Sequence, residues 1–233
     1  MCTYAARMIR SSIPNFLTSG NLVCGCFGIV ACLEGWDTPA AYFVWAAAMF
    51  DFFDGFAARW LKVSSPIGKE LDSLADVISF GLLPAMVMYK MIQSVTTIWW
   101  LPYSAFMMAA FAALRLAIFN VDETQTDSFK GLNTPSNTLF ITALPLVFTP
   151  GSWVFQEFVL VTTTVVFSLL MVSPFRFFAF KFKSLKWVDN QVRFTFMVVA
   201  VLLLISFRLA AIPLIILFYI GASLIGGALK MKM

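Results

Sequence analysis

The sequence has no histidine and few charged residues. Of its 233 residues, 12% are charged and 61% are hydrophobic. A soluble domain usually carries about 25% charged residues. A charged fraction of half that value is too small to cover a water-facing surface, so the composition excludes an ordinary soluble domain. We expect lipid to be the solvent for most of the surface.

Cysteine is also rare, and its placement argues against a metal or disulfide framework. Of the four cysteines, Cys24, Cys26 and Cys32 lie in the first apolar run, and no pair has the C-x-x-C spacing. With histidine absent as well, a zinc site or a disulfide scaffold is poorly supported. We interpret the cysteines as small polarizable packing residues.

Apolar runs of about 20 residues, the length that crosses a bilayer as a helix, recur along the whole chain. They predict an all-α, polytopic bundle of about eight transmembrane helices. Further apolar runs follow the first one, so we interpret the first run as a retained span and not as a removable signal peptide. The predicted spans are 16–34, 39–62, 68–90, 96–120, 134–149, 153–173, 193–207 and 209–228. The last two come from one long stretch, which we divide into a hairpin near Arg208 and Pro213.

The net charge of +4 is consistent with this topology. With eight spans, all of the 16 basic residues except Lys90 and Arg208 fall on the side of the two termini. An excess of Lys and Arg marks the cytoplasmic side, so we expect a cell-membrane protein with both termini in the cytoplasm. The basic residues lie in short gaps between apolar runs, which argues against nucleic-acid binding. We expect an interfacial segment at 1–15, a six-helix core at 16–190 and a C-terminal hairpin at 191–233.

Four aspartates lie at or inside the ends of the second and third spans. On insertion scales each central charge costs about 2.5–3.5 kcal/mol, or roughly 10–14 kcal/mol for four. Helical spacing places Asp51 and Asp54 on one face of the second span, and Asp72 and Asp76 on one face of the third. The turn at Ser64-Ser65-Pro66 lets these faces oppose each other. Oxygen ligands suit Mg²⁺ or Mn²⁺, so the pattern predicts a metal site.

Small residues accompany the aspartates. Gly55 and Ala58 share the face of Asp51, and Gly68 shares the face of Asp72. They leave space either for a bulky ligand or for close helix contact.

The segment 51–76 resembles the CDP-alcohol phosphatidyltransferase family in its full D-x2-D-G-x2-A-R-x8-G-x3-D-x3-D signature. The matching positions are Asp51, Asp54, Gly55, Ala58, Arg59, Gly68, Asp72 and Asp76. The resemblance implies a phosphotransferase core and an enzyme that joins a CDP-linked lipid to an alcohol and releases CMP. It also implies two divalent cations, a homodimer, and an active site on the cytoplasmic side.

The resemblance assigns a role to each of these positions. Metal binding is implied for the four aspartates, and Asp76 is implied as the general base. Nucleotide contacts are implied for Gly55, Ala58, Arg59 and Gly68. For Arg59, a snorkelling interfacial side chain is the other interpretation.

Weaker sequence similarity to one subfamily suggests which alcohol is the acceptor. The run DSLADVISFGLLPA (72–85) is similar to phosphatidylserine synthases of the membrane-embedded type, as are 13–25, 113–121 and 131–140. This similarity implies CDP-diacylglycerol and L-serine as substrates. Where the subfamily usually has a second arginine, this chain has Ile118. Candidate residues for an acceptor or phosphate pocket are Arg115, Asn120, Thr134 and Ser136, and a structural salt bridge is the alternative role for Arg115.

Two other functions stay open from sequence. The same chemistry with glycerol phosphate, inositol phosphate or choline as acceptor would use the same aspartates. A cation transporter would use the four carboxylates as its ion path, although no broken-helix pair marks such a path.

Overall fold

The computed structural model describes residues 2–36, 38–63, 65–122, 128–178 and 187–228. The turn residue Ser64 lies outside the described residues, as do five of the basic residues behind the predicted topology. These are Lys181, Lys183, Lys186, Lys230 and Lys232.

Helices dominate the described chain. They are α1 (Cys2–Glu34), α2 (Ala40–Leu61), α3 (Pro66–Asp76), α4 (Leu83–Gln93), α5 (Phe106–Val121), α6 (Thr134–Val147), α7 (Glu157–Met171), α8 (Trp187–Phe207) and α9 (Ala211–Ala228). Each predicted span corresponds to a helix or to a run of adjoining helices. The predicted interfacial segment 1–15 continues into the first span as the single helix α1, with Pro14 inside it.

Four stretches of the described chain are long and apolar enough to cross a membrane. They are Ser12–Glu34, Pro66–Gln93, Leu101–Val121 and Arg193–Gly226. Large apolar side chains point away from the bundle, with Phe16, Phe158 and Ile205 each more than 70% exposed. A predominantly helical, multi-pass membrane protein is therefore confirmed, whereas the count of eight spans stays a prediction.

The third predicted span is one run of helix with a change of geometry in its middle. Ser65 begins it as the N-cap, because its Oγ accepts a hydrogen bond from the Gly68 N–H at 2.9 Å and Pro66 fits the first turn. A π-helical segment, Val77–Leu82, follows Asp76 directly and leads into α4. Such segments are frequent at functional sites.

Helix α1 packs closely against the π-helical segment through Gly25. A Cβ atom at Gly25 would lie 2.9 Å from the Cα of Ser79, closer than real Cβ atoms approach backbone. The contact brings α1 against the same run of helix that carries Asp72 and Asp76.

The chain reverses direction near Arg208, where the sequence predicts a hairpin. Were the stretch one straight helix, the 22 residue steps from Phe196 to Phe218 would span about 33 Å. Their rings instead stack with centroids 5.7 Å apart. The chain therefore reverses direction between them, and the left-handed Arg208 (φ 51°) lies at the reversal.

Contacts at one end of the bundle agree with the predicted topology. Strands β1 (Ser128–Lys130) and β2 (Arg176–Phe178) form a short antiparallel ribbon that the sequence did not predict. The ribbon joins two loops that we placed on the same side of the membrane. At the start of α3, Lys69 donates to the Asn120 carbonyl at the end of α5, over 3.0 Å.

Candidate active site

Three of the four aspartates converge between α2 and α3. Asp51, Asp72 and Asp76 can each offer a carboxylate oxygen such that these oxygens all lie within 4.8 Å of one another. Asp51 precedes the end of α2 by ten residues and Asp76 follows the start of α3 by ten. The two helices run antiparallel across a short turn, so Asp51 and Asp76 lie at the same height along the helix pair. The predicted opposition of the two helix faces is thus confirmed for these three residues.

The fourth aspartate, Asp54, lies outside this group of three. It is buried at 6% exposure, and its Oδ2 accepts a hydrogen bond from the Thr18 hydroxyl at 2.6 Å. A site built from all four aspartates therefore stays a prediction.

Helix α1 supplies polar partners that sequence reasoning missed. Besides Thr18, the fully buried Asn21 donates from Nδ2 to Asp76 Oδ1 at 3.0 Å. Thr18 and Asn21 are three residues apart and therefore share a helix face. Polar residues at this spacing inside an apolar run were the available signal, but nothing in the sequence indicated which helix they would face.

The donor set fits divalent cations. Within the described part of the chain, none of the four aspartates pairs with Lys or Arg, and the ion pair between Lys130 and Asp122 lies elsewhere. Carboxylates gathered in an apolar bundle without a counter-charge are costly. An oxygen-only cluster suits Mg²⁺ or Mn²⁺, and the cluster formed by Asp51, Asp72 and Asp76 would hold such an ion.

A cavity of about 270 Å³ adjoins Asp54 and Asp72. It is lined by Pro14, Asn15, Thr18, Asp54, Gly55, Ala58, Val63, Ser65, Gly68, Lys69 and Asp72. The two glycines of the signature behave differently there. A Cβ at Gly55 would meet no protein atom within 4 Å, whereas one at Gly68 would lie 3.0 Å from Asn15 Oδ1 and Ser65 Oγ. Space for a ligand therefore explains Gly55, and close packing against α1 explains Gly68.

Gly55→Ala is accordingly expected to separate stability from activity. Because alanine stabilises a helix interior by about 0.5–1 kcal/mol relative to glycine, the melting temperature in detergent should stay equal or rise. The KM for the CDP-linked lipid, the substrate that the family resemblance implies, should rise, since the methyl group enters the cavity. The matched Gly25→Ala variant should instead lower the melting temperature because of its contact with Ser79. An unchanged KM in Gly55→Ala would show that no ligand occupies this part of the cavity.

Arg59 does not line this cavity. Its side chain is exposed, and its Nε donates to the Gly55 carbonyl at 3.0 Å. The nucleotide contact expected of Arg59 stays a prediction.

Arg115 lines a second cavity, of about 160 Å³, between the ends of α5 and α7. The side chain is buried at 7% exposure, and its Nε has no hydrogen-bond partner among the described residues. No ion pair of Arg115 is present there, so the alternative of a structural salt bridge gains no support. A buried guanidinium facing a cavity fits an anionic ligand group.

Of the other pocket candidates, Asn120 joins two helices, and Thr134 and Ser136 lie in the first turn of α6. Asn120 donates from Nδ2 to Ser73 Oγ at 2.7 Å, which ties α5 to α3. Thr134 is buried in the first turn of α6, where the Ser136 N–H donates to the N-cap Asn133 at 2.7 Å. None of Asn120, Thr134 and Ser136 lines either cavity, and their role in acceptor binding stays a prediction.

Comparison with known proteins agrees with the geometry. The profile of the family described as CDP-alcohol phosphatidyltransferase matches residues 11–170. A Bacillus subtilis protein named CDP-diacylglycerol–serine O-phosphatidyltransferase is 32% identical over 173 residues, covering 72% of this chain and 91% of that protein. A Helicobacter pylori protein of the same name is 30% identical over 181 residues, covering 75% and 74%. A Saccharomyces cerevisiae protein of that name is 38% identical over 120 residues, covering 48% and 42%.

Proposed function

Because the chain belongs to the CDP-alcohol phosphatidyltransferase family, we propose that it transfers the phosphatidyl group of CDP-diacylglycerol to the hydroxyl of L-serine, giving phosphatidylserine and CMP. The observation that carries the proposal is the convergence of Asp51, Asp72 and Asp76, of which Asp72 also lines the first cavity. The names of the relatives support serine as the acceptor.

In this proposal the four aspartates hold two divalent cations, Mg²⁺ or Mn²⁺. When bound, such ions neutralise charge on the pyrophosphate and on the departing CMP. Asp54 binds a cation from the edge of the group formed by Asp51, Asp72 and Asp76. The hydrogen bond from the Thr18 hydroxyl fixes the orientation of its carboxylate.

Asp76 acts as the general base. The hydroxyl oxygen of serine attacks the phosphorus that carries diacylglycerol, and its proton passes to Asp76. The bond from that phosphorus to CMP breaks, and CMP leaves with the electron pair. Positioning and charge stabilisation dominate such phosphoryl transfers, so the reach of Asp76 to the hydroxyl matters more than its basicity.

The cavity of about 270 Å³ receives the nucleotide. Gly55 and Ala58 line it from α2, and Gly68 lines it from α3. Arg59 joins the site by swinging from the Gly55 carbonyl to a phosphate of the substrate, where it forms a charge-assisted contact.

Arg115 binds the serine carboxylate or a lipid phosphate in the second cavity. Arg115→Lys should raise the KM for serine about tenfold, because lysine keeps the charge but loses the planar, bidentate hydrogen bonds. Initial rates over a range of serine concentrations measure this. The exposed Arg176 offers the control Arg176→Lys, which should leave the KM unchanged. Equal kinetics in both variants would remove Arg115 from the acceptor site.

The remaining parts of the proposal concern the whole protein. It is a multi-pass protein of the cell membrane, with the active site and both termini cytoplasmic, and it acts as a homodimer. Segment 1–15 lies at the interface, 16–190 forms the catalytic core, and 191–233 forms a hairpin. The end of the family match at residue 170 supports the separation of core and hairpin.

A CMP-release assay tests the function. Purified protein is given CDP-diacylglycerol and one labelled alcohol at a time: serine, glycerol phosphate, inositol phosphate or choline, with and without Mn²⁺. We expect CMP release only with serine and Mn²⁺. Release with another alcohol would move the proposal to that acceptor, and ion flux in liposomes without CMP release would replace it with transport.

A further inference from the structure

Asn21 is a buried polar side chain in direct contact with the proposed base. It is 0% exposed, and its Nδ2 lies 3.0 Å from Asp76 Oδ1. A carboxylate oxygen only accepts hydrogen bonds. The amide nitrogen of Asn21, and not its oxygen, must therefore face Asp76. This hydrogen bond fixes one oxygen of Asp76 and leaves the other oxygen available.

The oxygen of the same amide is buried and has no hydrogen-bond partner among the described residues. A buried acceptor without a partner is costly, and such groups in native proteins normally call for an explanation. Because Asn21 is already fastened to Asp76 at its nitrogen, its oxygen lies one amide group away from the proposed base. A ligand that brings a hydrogen-bond donor to this position would satisfy it.

We propose that Asn21 positions Asp76 through Nδ2 and accepts a hydrogen bond from the ammonium group of the acceptor through Oδ1. This inference rests on the proposed function. In serine the hydroxyl and the ammonium group sit on adjacent carbons, so one molecule presents a hydroxyl to Asp76 and a donor to Asn21 side by side. Asn21 thereby selects an amino alcohol over an alcohol that lacks the amine.

The test compares serine with β-hydroxypropionate, which keeps the hydroxyl and the carboxylate but lacks the ammonium group. In Asn21→Ala, the KM for serine should rise about tenfold or more, while the inhibition constant of β-hydroxypropionate changes less than about twofold. The kcat should also fall, because Asp76 loses its hydrogen bond. If Asn21 had a purely structural role, its replacement would weaken the binding of both compounds by the same factor.

Two further variants keep the test decisive. Asn21→Leu has a similar volume and should reproduce the same split between serine and the analogue if the alanine variant does not fold. The matched control is Thr164→Val, which removes a fully buried hydroxyl bonded to the Leu160 carbonyl at 2.9 Å on α7. It should change neither constant.

The outcomes separate this inference from the function on which it rests. If wild-type protein releases no CMP with serine, the proposed function fails. If wild type is active but Asn21→Ala leaves the KM for serine unchanged, Asn21 does not contact the acceptor. If the binding of serine and of β-hydroxypropionate weakens by the same factor, Asn21 has a structural role, or its Oδ1 meets the hydroxyl or a cation-bound water, and the ammonium assignment is wrong.

Discussion

Asp76→Asn should lower the kcat for CMP release by about 10²- to 10⁴-fold, the usual contribution of a general base. An amide has the shape of a carboxylate but cannot take up the proton of the acceptor hydroxyl. The contact with Asn21 can survive, because the new amide oxygen still accepts from Nδ2. Steady-state rates with CDP-diacylglycerol and serine measure the effect.

The control for this variant is Glu34→Gln. Glu34 lies at the far end of α1, where its carboxylate accepts a hydrogen bond from Trp36 Nε1 at 2.7 Å. Its replacement should leave kcat unchanged and the melting temperature close to that of wild type. A loss of less than tenfold in Asp76→Asn would place the base elsewhere.

Chelation of divalent cations should abolish CMP release and also lower the stability of the wild-type protein. Three carboxylates whose oxygens lie within 4.8 Å repel one another when no cation lies between them. A cation at a hundred times its dissociation constant stabilises the folded protein by about 2.7 kcal/mol. The melting temperature in detergent should therefore rise on adding Mn²⁺ to chelated protein.

The Asp51→Asn variant and the wild-type protein should exchange their order of stability when Mn²⁺ replaces EDTA. In EDTA the variant should melt above wild type, since one of the three like charges is gone. In Mn²⁺ it should melt below wild type, since one ligand is gone, and it should be inactive under both conditions. Glu34→Gln should follow wild type throughout. Equal responses of Asp51→Asn and wild type to Mn²⁺ would show that the ion binds somewhere else.

The sequence predicted the centre of the site because the relevant residues are close in the chain. Asp51, Asp72 and Asp76 lie on two neighbouring helices joined by a short turn, so helical periodicity alone brings their faces together. The hairpin near Arg208 followed in the same way from the length of the apolar stretch. Both predictions needed only local geometry and the thickness of a bilayer.

The parts that the sequence did not predict depend on distant packing. Thr18 and Asn21 reach aspartates that lie 36 and 55 residues away. Asn21 meets Asp76 where Gly25 contacts the π-helical segment, and Thr18 meets Asp54 where α1 packs against α2. No local pattern in the sequence specifies either contact. The ribbon of β1 and β2 has three residues in each strand, too few for an alternating pattern to be recognised.

The other candidate residues show the same limit. The structure places Gly55 and Ala58 at the cavity and Arg115 at a second one. The side-chain amide of Asn120, in contrast, donates a hydrogen bond to Ser73. A polar residue near the end of a span has several possible partners, and only the packing of α5 against α3 decides among them.

A crystal structure of the protein grown with Mn²⁺ and CDP-diacylglycerol, with data collected at the manganese absorption edge, tests the central claim most directly. We predict two anomalous peaks between α2 and α3, each within about 2.0–2.6 Å of carboxylate oxygens from Asp51, Asp72 or Asp76. Anomalous density elsewhere in the protein, with none at these three aspartates, would contradict the account.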